Sequence, residues 1–297
     1  MKIRLSEKIF GSFQGEAINA GMPSVWLRFF GCNLECNGFN QADPTNPETY
    51  ILPYQTFDIS NIKKMEELPV FEYGCDSSYS WSNRYKSLVN DYTEITAAEE
   101  IMRIARERFG ATNGMYHPRT GQQIQLCFTG GEPMLQQKTM VEVTNALDAL
   151  DVYNFYPISI ETNGTVEIKQ SFKEFIYFTN HPINIACSPK LFTVSGEKNK
   201  VNMDIISNYA DNSDSGCIKV VINGTKECWD ELDSYTDDFA SLMDINPGWS
   251  LFVMPVGATV SQQTGISVAT IANEAMLRGY NVATRNHVSV YGNVIGS

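Results

Sequence analysis

Gly31-Cys32-Asn33-Leu34-Glu35-Cys36 and, much later, Tyr73-Gly74-Cys75-Asp76-Ser77-Ser78-Tyr79 set the hardest condition this chain must meet on folding. If the three thiols act together, a tight loop must meet a segment that returns only after residues 37–74. The cost of closing so long a loop grows with the logarithm of its length, so metal ligation at its ends is enough to anchor it. Three thiolates are what a protein supplies to hold three irons of a [4Fe–4S] cluster, leaving the fourth iron open to a non-protein ligand. Cys-x3-Cys alone is read more readily as a structural zinc site or as unrelated buried thiols.

Whole-chain features narrow the setting without naming the chemistry. The 297 residues suffice for one large α/β domain or two smaller ones, and one is favoured. A formal charge of −12 disfavours attraction to phosphate backbones, so a small molecule is a better substrate than tRNA or DNA. No apolar run reaches the length of a membrane span, and Met1-Lys2-Ile3-Arg4 opens no signal peptide, so the expected compartment is cytoplasmic. Seven cysteines in such a setting argue for ligation and buried thiols over a disulfide framework.

Strands alternate with helical patterns along the chain. Apolar strands are expected at 25–30, 124–128, 158–161, 183–187, 218–222 and 251–255, with a last strand over 282–291. Thr96-Ala97-Ala98-Glu99 reads as a capping box, with Ile101, Ala105 and Phe109 on one helical face and Gly110 closing it. Further helices are expected at 138–150, 226–239 and 268–278. This βα alternation implies a parallel sheet, whose functional residues lie at the C-terminal ends of the strands. Thr129-Gly130-Gly131-Glu132-Pro133, Glu161-Thr162-Asn163-Gly164 and Ser188-Pro189-Lys190 all follow expected strands. Glycines there let a ligand approach the backbone, and Glu132 and Glu161 offer carboxylates. Each phrase also has a plain reading, as a turn, a loop cap or a surface charge.

Joined to Ile9-Phe10-Gly11-Ser12-Phe13-Gln14-Gly15-Glu16 and Arg28-Phe29-Phe30-Gly31-Cys32-Asn33, these phrases resemble the radical S-adenosylmethionine enzymes, in the branch of the 7-carboxy-7-deazaguanine synthase family. That family spaces its cysteines Cys-x3-Cys-x2-Cys, which puts the third at Phe39. Cys75-Asp76-Ser77-Ser78-Tyr79 resembles the family phrase holding the third ligand, so residues 37–74 are read as an insertion in the cluster loop. The stretch 37–53, rich in Asn, Pro, Asp and Thr, suits an irregular surface excursion. Phe57, Phe71 and Tyr73 are expected to cover the cluster or to pack on a neighbouring subunit.

The resemblance implies a partial, open β/α barrel spanning 1–297. It implies a [4Fe–4S] cluster on Cys32, Cys36 and Cys75, with S-adenosylmethionine held by Thr129, Gly130, Gly131, Glu132, Glu161, Ser188 and Lys190. The cluster would cleave the cofactor to a 5′-deoxyadenosyl radical, within a dry, enclosed barrel mouth. The implied reaction converts 6-carboxy-5,6,7,8-tetrahydropterin to 7-carboxy-7-deazaguanine, with ring contraction and loss of ammonia, on the way to queuosine or other deazapurines. Gln14 and Glu16 match positions that read the pterin edge, Arg28 matches one that pairs with the substrate carboxylate, and His287 falls in a segment near the pocket. Ser77 stands where the family's threonine binds Mg²⁺ and keeps the hydroxyl oxygen a hard cation needs. A flavodoxin- or ferredoxin-type reductant and a homodimer are implied as partners.

Three other readings stay open on residues alone. An activase that installs a glycyl radical on a partner protein shares the cofactor machinery, though Gln14, Glu16 and Arg28 speak for a small molecule. A non-enzymatic relic could have lost its cluster at Phe39, and a zinc-bearing interaction module needs none of the strand-end phrases. Cys127, Cys187, Cys217 and Cys228 are expected to fill core.

Overall fold

The short runs at 124–128, 158–161, 183–187 and 218–222, rich in Ile, Leu and Val, become central parallel strands with one face in the core and the other toward a cavity. The structure, a computed structural model, describes residues 2–150, 155–292 and 294–296. Its strands are β1 (Ile3–Leu5), β2 (Phe10–Phe13), β3 (Pro23–Phe29), β4 (Asn90–Tyr92), β5 (Gln125–Gly130), β6 (Ile158–Thr162), β7 (Ile183–Cys187), β8 (Ser215–Ile222), β9 (Trp249–Pro255) and β10 (Asn281–Val282). They form one sheet in the order β10-β9-β8-β7-β6-β5-β3-β1-β4, with β2 also paired to β3. Strands β3 and β5 to β10 run parallel, whereas β1, β2 and β4 pair antiparallel. The two ends do not meet, which makes an open, partial barrel.

The pleat sends alternate residues to opposite faces. Leu126, Phe128, Ile158, Ile160, Ile218 and Val220 join the main core with the helices, and Phe29 stacks on Phe128 at 5.9 Å. Each such side chain contributes about 1.5–3 kcal/mol through burial. The opposite face carries Arg28, Thr129, Glu161, Ala186 and Lys219, all lining one cavity. The expected thiols Cys127, Cys187, Cys217 and Cys228 are fully buried.

Several local expectations shift. The helix Glu94–Phe109 is capped by Thr93, whose side chain accepts from Thr96 N while Thr96 reaches back, so the capping box begins three residues earlier than Thr96. Gly110 closes it at φ +70°. The helix expected over 226–239 breaks into Lys226–Asp233 and Thr236–Ile245. The expected last strand ends at Val282, and Asn286–Tyr291 is a helix. Its alternating valines suggest a strand, but Arg285 turns inward and Asn286 N bonds Gly15 O at 3.0 Å, which takes the chain off the sheet edge.

Residues 37–74 begin as irregular chain over 37–52, apart from one short turn, and are more ordered beyond it. They carry the short turns Pro47–Thr49, Pro53–Thr56 and Met65–Glu67 around a second apolar core of Tyr54, Met65, Leu68 and Phe71, joined by Tyr79, Tyr85 and Ile295. Phe57 and Phe71 meet edge to face at 5.7 Å within this core and neither lines the cavity, which corrects the expectation that they cover the cluster.

Candidate active site

Strand ends and their following loops surround one cavity. Cys32, Cys36 and Cys75 line it together, and all three are free thiols. The return of the long loop is fixed by the backbone: Gly74 N donates to Phe39 O at 2.9 Å, and Asn40 Nδ2 donates to Glu72 O at 2.8 Å. Cys75 therefore arrives beside position 39, and the Phe39 ring turns to the cavity with Lys190 Nζ 5.9 Å from its centre.

The turn carrying Cys36, at φ +51°, is pinned by Glu197, whose carboxylate accepts from Glu35 N (2.9 Å) and Cys36 N (2.8 Å). Leu34 N points at Cys32 Sγ at 3.4 Å, and Asn163 Nδ2 lies 3.9 Å from it. Burial pushes all three thiols up, Cys75 to about 12, while Lys190 acts in the other direction on Cys32 and Cys36. Among the described residues no three His, Cys, Asp or Glu side chains close on a single ion. Three thiols spread around a shared cavity, with amide donors at one sulfur, suit a multi-iron cluster, which sits between its ligands, better than one zinc ion.

The Gly-Gly segment lies across the end of β3. Glu132 N donates to Gly31 O at 2.8 Å, and a Cβ on Gly131 would come within 2.1 Å of that same oxygen, so only glycine permits the approach. Thr129, Gly130 and Gly131 line the cavity, as do Glu161, Ser188 and Lys190. Glu132 does not: fully buried, it accepts from Thr162 Oγ1 (2.7 Å), Asn163 N (2.7 Å) and Met134 N (2.9 Å). The structure thus brings the expected set together except for this carboxylate, which ties β5 to β6 beneath the surface.

On the far side, Gln14 Nε2 donates to Glu161 Oε1 at 3.1 Å, and Thr129 Oγ1 donates to Glu161 Oε2 at 2.8 Å. Glu16 is held between two cations, Lys219 on Oε2 and Arg285 Nε on Oε1 at 3.0 Å. Burial opposes its charge, but Lys219 and Arg285 outweigh it and hold the carboxyl far below the usual range. Each oxygen keeps a lone pair for a ligand N–H. Arg28, partly buried, pairs with the buried Glu7, Nε to Oε1 at 2.8 Å, and also faces the Tyr79 ring at 6.0 Å. His287 packs over Gly15, where a Cβ would meet its Nδ1 at 2.0 Å, and burial pushes its pKa down toward the neutral ring.

Magnesium does not fit the donors at Ser77. Its hydroxyl donates to Asp76 Oδ1 at 3.2 Å and faces Arg28 Nη1 at 3.5 Å, while Asp76 Oδ2 is paired with Arg285 Nη2 at 2.8 Å. A hard dication needs several free oxygens, and of the three here Arg285 takes Asp76 Oδ2 while Ser77 Oγ faces Arg28.

Lys219, Arg285, Asp76, Glu7 and Glu197 were not singled out from the sequence for a role. Lys219 was the most findable, as a lone charge inside the apolar run Cys217-Ile218-Lys219-Val220-Val221-Ile222.

The chain is similar to 7-carboxy-7-deazaguanine synthase of Clostridium acetobutylicum, at 26% identity over 264 residues covering 89% of this chain and 86% of that protein. It is also similar to 7-carboxy-7-deazaguanine synthase of Pyrobaculum aerophilum, at 24% identity over 296 residues covering 99% and 97%. The crystal structure of QueE from Escherichia coli superposes with a TM-score of 0.51 at 17% identity, over 97% of this chain and 95% of that one, a likeness of fold. No protein-family model matches the chain.

Proposed function

We infer that the chain belongs to the 7-carboxy-7-deazaguanine synthases, radical S-adenosylmethionine enzymes, and converts 6-carboxy-5,6,7,8-tetrahydropterin to 7-carboxy-7-deazaguanine with loss of ammonia. The observation that carries this reading is the convergence of Cys32, Cys36 and Cys75 with Gln14, Glu16 and Arg28 on one cavity, in a chain whose full-length relatives carry that name. When bound, the [4Fe–4S] cluster and S-adenosylmethionine supply the one-electron chemistry that generates an organic radical.

The chain's own residues bind, orient and enclose. Cys32, Cys36 and Cys75 would hold the cluster. Gly130, Gly131 and Ser188 would give backbone and hydroxyl contacts to the cofactor, and Lys190 would place positive charge beside the thiolates. Glu16, kept ionised by Lys219 and Arg285, would accept from the N–H groups of the pterin edge, with Gln14 oriented beside it by Glu161. Arg28 would pair with the carboxylate, its fork steadied by Glu7. His287 would close the mouth and help keep water from the reacting centre.

The activase reading is not favoured, because a glycyl-radical partner calls for an exposed docking surface and not for carboxylate and pterin recognition. A flavodoxin- or ferredoxin-type reductant, a homodimer and a cytoplasmic setting complete the proposal. Among the described residues no helix is long and apolar enough to cross a membrane.

Anaerobic reconstitution with iron and sulfide, then assay with S-adenosylmethionine, dithionite and the pterin, tests the reading. Wild type is expected to form 7-carboxy-7-deazaguanine, and Cys75→Ala to lose the cluster. Cofactor cleavage without pterin turnover would refute the substrate, and a normal cluster in Cys75→Ala would refute the displaced ligand.

A further inference from the structure

We propose that Arg285 does the work of a divalent cation in this site, so that the chain binds and converts its carboxylate substrate without Mg²⁺. The inference deepens the functional reading above and rests on it for the identity of the substrate.

The guanidinium of Arg285 joins two anions from segments far apart in the chain, Glu16 Oε1 at 3.0 Å through Nε and Asp76 Oδ2 at 2.8 Å through Nη2. Its Nη1 donates to Gly257 O at 2.9 Å, and its side chain is only 13% exposed. A divalent ion at the Cys-Asp-Ser phrase would need Asp76 Oδ2 and would neutralise its charge. The planar fork does so with fixed geometry, and two of its five N–H groups remain for a ligand oxygen. Arg28, with Nη1 at 3.5 Å from Ser77 Oγ, lies on the other side of the same phrase. A dication placed at Ser77 would therefore face two part-buried guanidinium groups, with Asp76 Oδ2 already taken by Arg285. Without Arg285 the position reverses: Asp76 Oδ2 is freed as an oxygen donor and the negative charge of Asp76 loses its partner.

The test uses reconstituted holoenzyme stripped with EDTA. It measures turnover with and without MgCl₂, and Mn²⁺ binding by electron paramagnetic resonance in the presence of S-adenosylmethionine and pterin. Wild type is expected to change KM by less than about twofold on adding Mg²⁺, and to bind no stoichiometric Mn²⁺. Arg285→Ala is expected to raise KM about tenfold or more, as loss of a charged fork does, and to recover in part when Mg²⁺ is added. Arg285→Lys should fall between the two without added metal. Iron content and melting temperature establish that each variant is folded and loaded. One Mn²⁺ bound per wild-type chain, a wild type that needs Mg²⁺, or an Arg285→Ala variant with unchanged KM in EDTA would each overturn the proposal. If wild type makes no 7-carboxy-7-deazaguanine under any condition, the functional reading fails, and Mn²⁺ binding still decides whether Arg285 fills the cation position.

Discussion

Lys219 sits in β8 with its side chain 9% exposed, a cost offset chiefly by the pairing with Glu16 and also by the charge of Glu161. Removing the anion leaves Lys219 and Arg285 short of a partner in a buried place, so Glu16→Gln is expected to lose about 3–5 kcal/mol at neutral pH. The sign with pH follows from the depressed carboxyl of Glu16. A folded-state pKa below the unfolded value gives stability that is fully present above the ordinary carboxylate range and is lost progressively as pH falls from that range toward the depressed folded-state value. The melting-temperature gap between wild type and Glu16→Gln should thus be widest above about pH 5 and narrow below about pH 4. A gap that is constant from neutral to acid pH would show that Glu16 is not held ionised. At this scale the sequence disclosed single residues better than pairs. Glu16 and Arg28 could be picked out within local phrases, whereas the partners Lys219, Arg285 and Glu7 come from other strands and loops that only folding brings near. Glu132 shows the reverse: the phrase marks the residue, but its three internal donors decide where the carboxylate goes.

Elements were legible in proportion to how far their own residues determine them. The parallel strands β5 to β8 each carry several Ile, Leu or Val side chains on the core face that must be buried wherever they go, and they fall close to their expected positions. Strands β1, β2 and β4 have three or four residues each, and their pairing is set by β3 and by one another, so no local pattern announces them. The insertion lies between these cases. Its polar start reads as loop, while Met65, Leu68 and Phe71 recur every third residue over too short a stretch to announce a helix, and with Tyr54 they gather around Tyr79 and Tyr85 from beyond the loop. Because Cys75 hangs from this unit, its core bears on the proposed cluster site. Phe71→Ala, which empties the space between Phe57 and Tyr85, is expected to cost about 3–5 kcal/mol locally. The variant should lose iron faster on incubation with a chelator, with KM for the pterin little changed in molecules that keep the cluster. Equal iron loss from variant and wild type would mean that the insertion is ornament to the site.

Across the whole molecule, the two ends of the chain close the substrate side between them. Arg285 reaches Glu16 over a separation of 269 residues, Asn286 N bonds Gly15 O, and His287 packs on Gly15. Past the helix Asn286–Tyr291, Ile295 enters the second core at 6% exposure, beside the insertion that delivers Cys75. The C-terminal segment therefore spans from the substrate side of the cavity to the insertion core, anchored at both. If that anchoring holds His287 and Arg285 in place, weakening the far anchor raises KM without touching either residue. Ile295→Ala removes buried apolar volume worth about 2–5 kcal/mol. Apparent affinity falls with the fraction of molecules whose segment is docked, by about tenfold for each 1.4 kcal/mol once the undocked form prevails. The expected result is a KM for the pterin raised about tenfold, with iron content and saturated turnover close to wild type. An unchanged KM would mean that the segment is fixed by its contacts at Glu16 and Gly15 alone. Loss of iron together with KM would instead place Ile295 among the supports of the cluster loop, acting through the second core on Cys75.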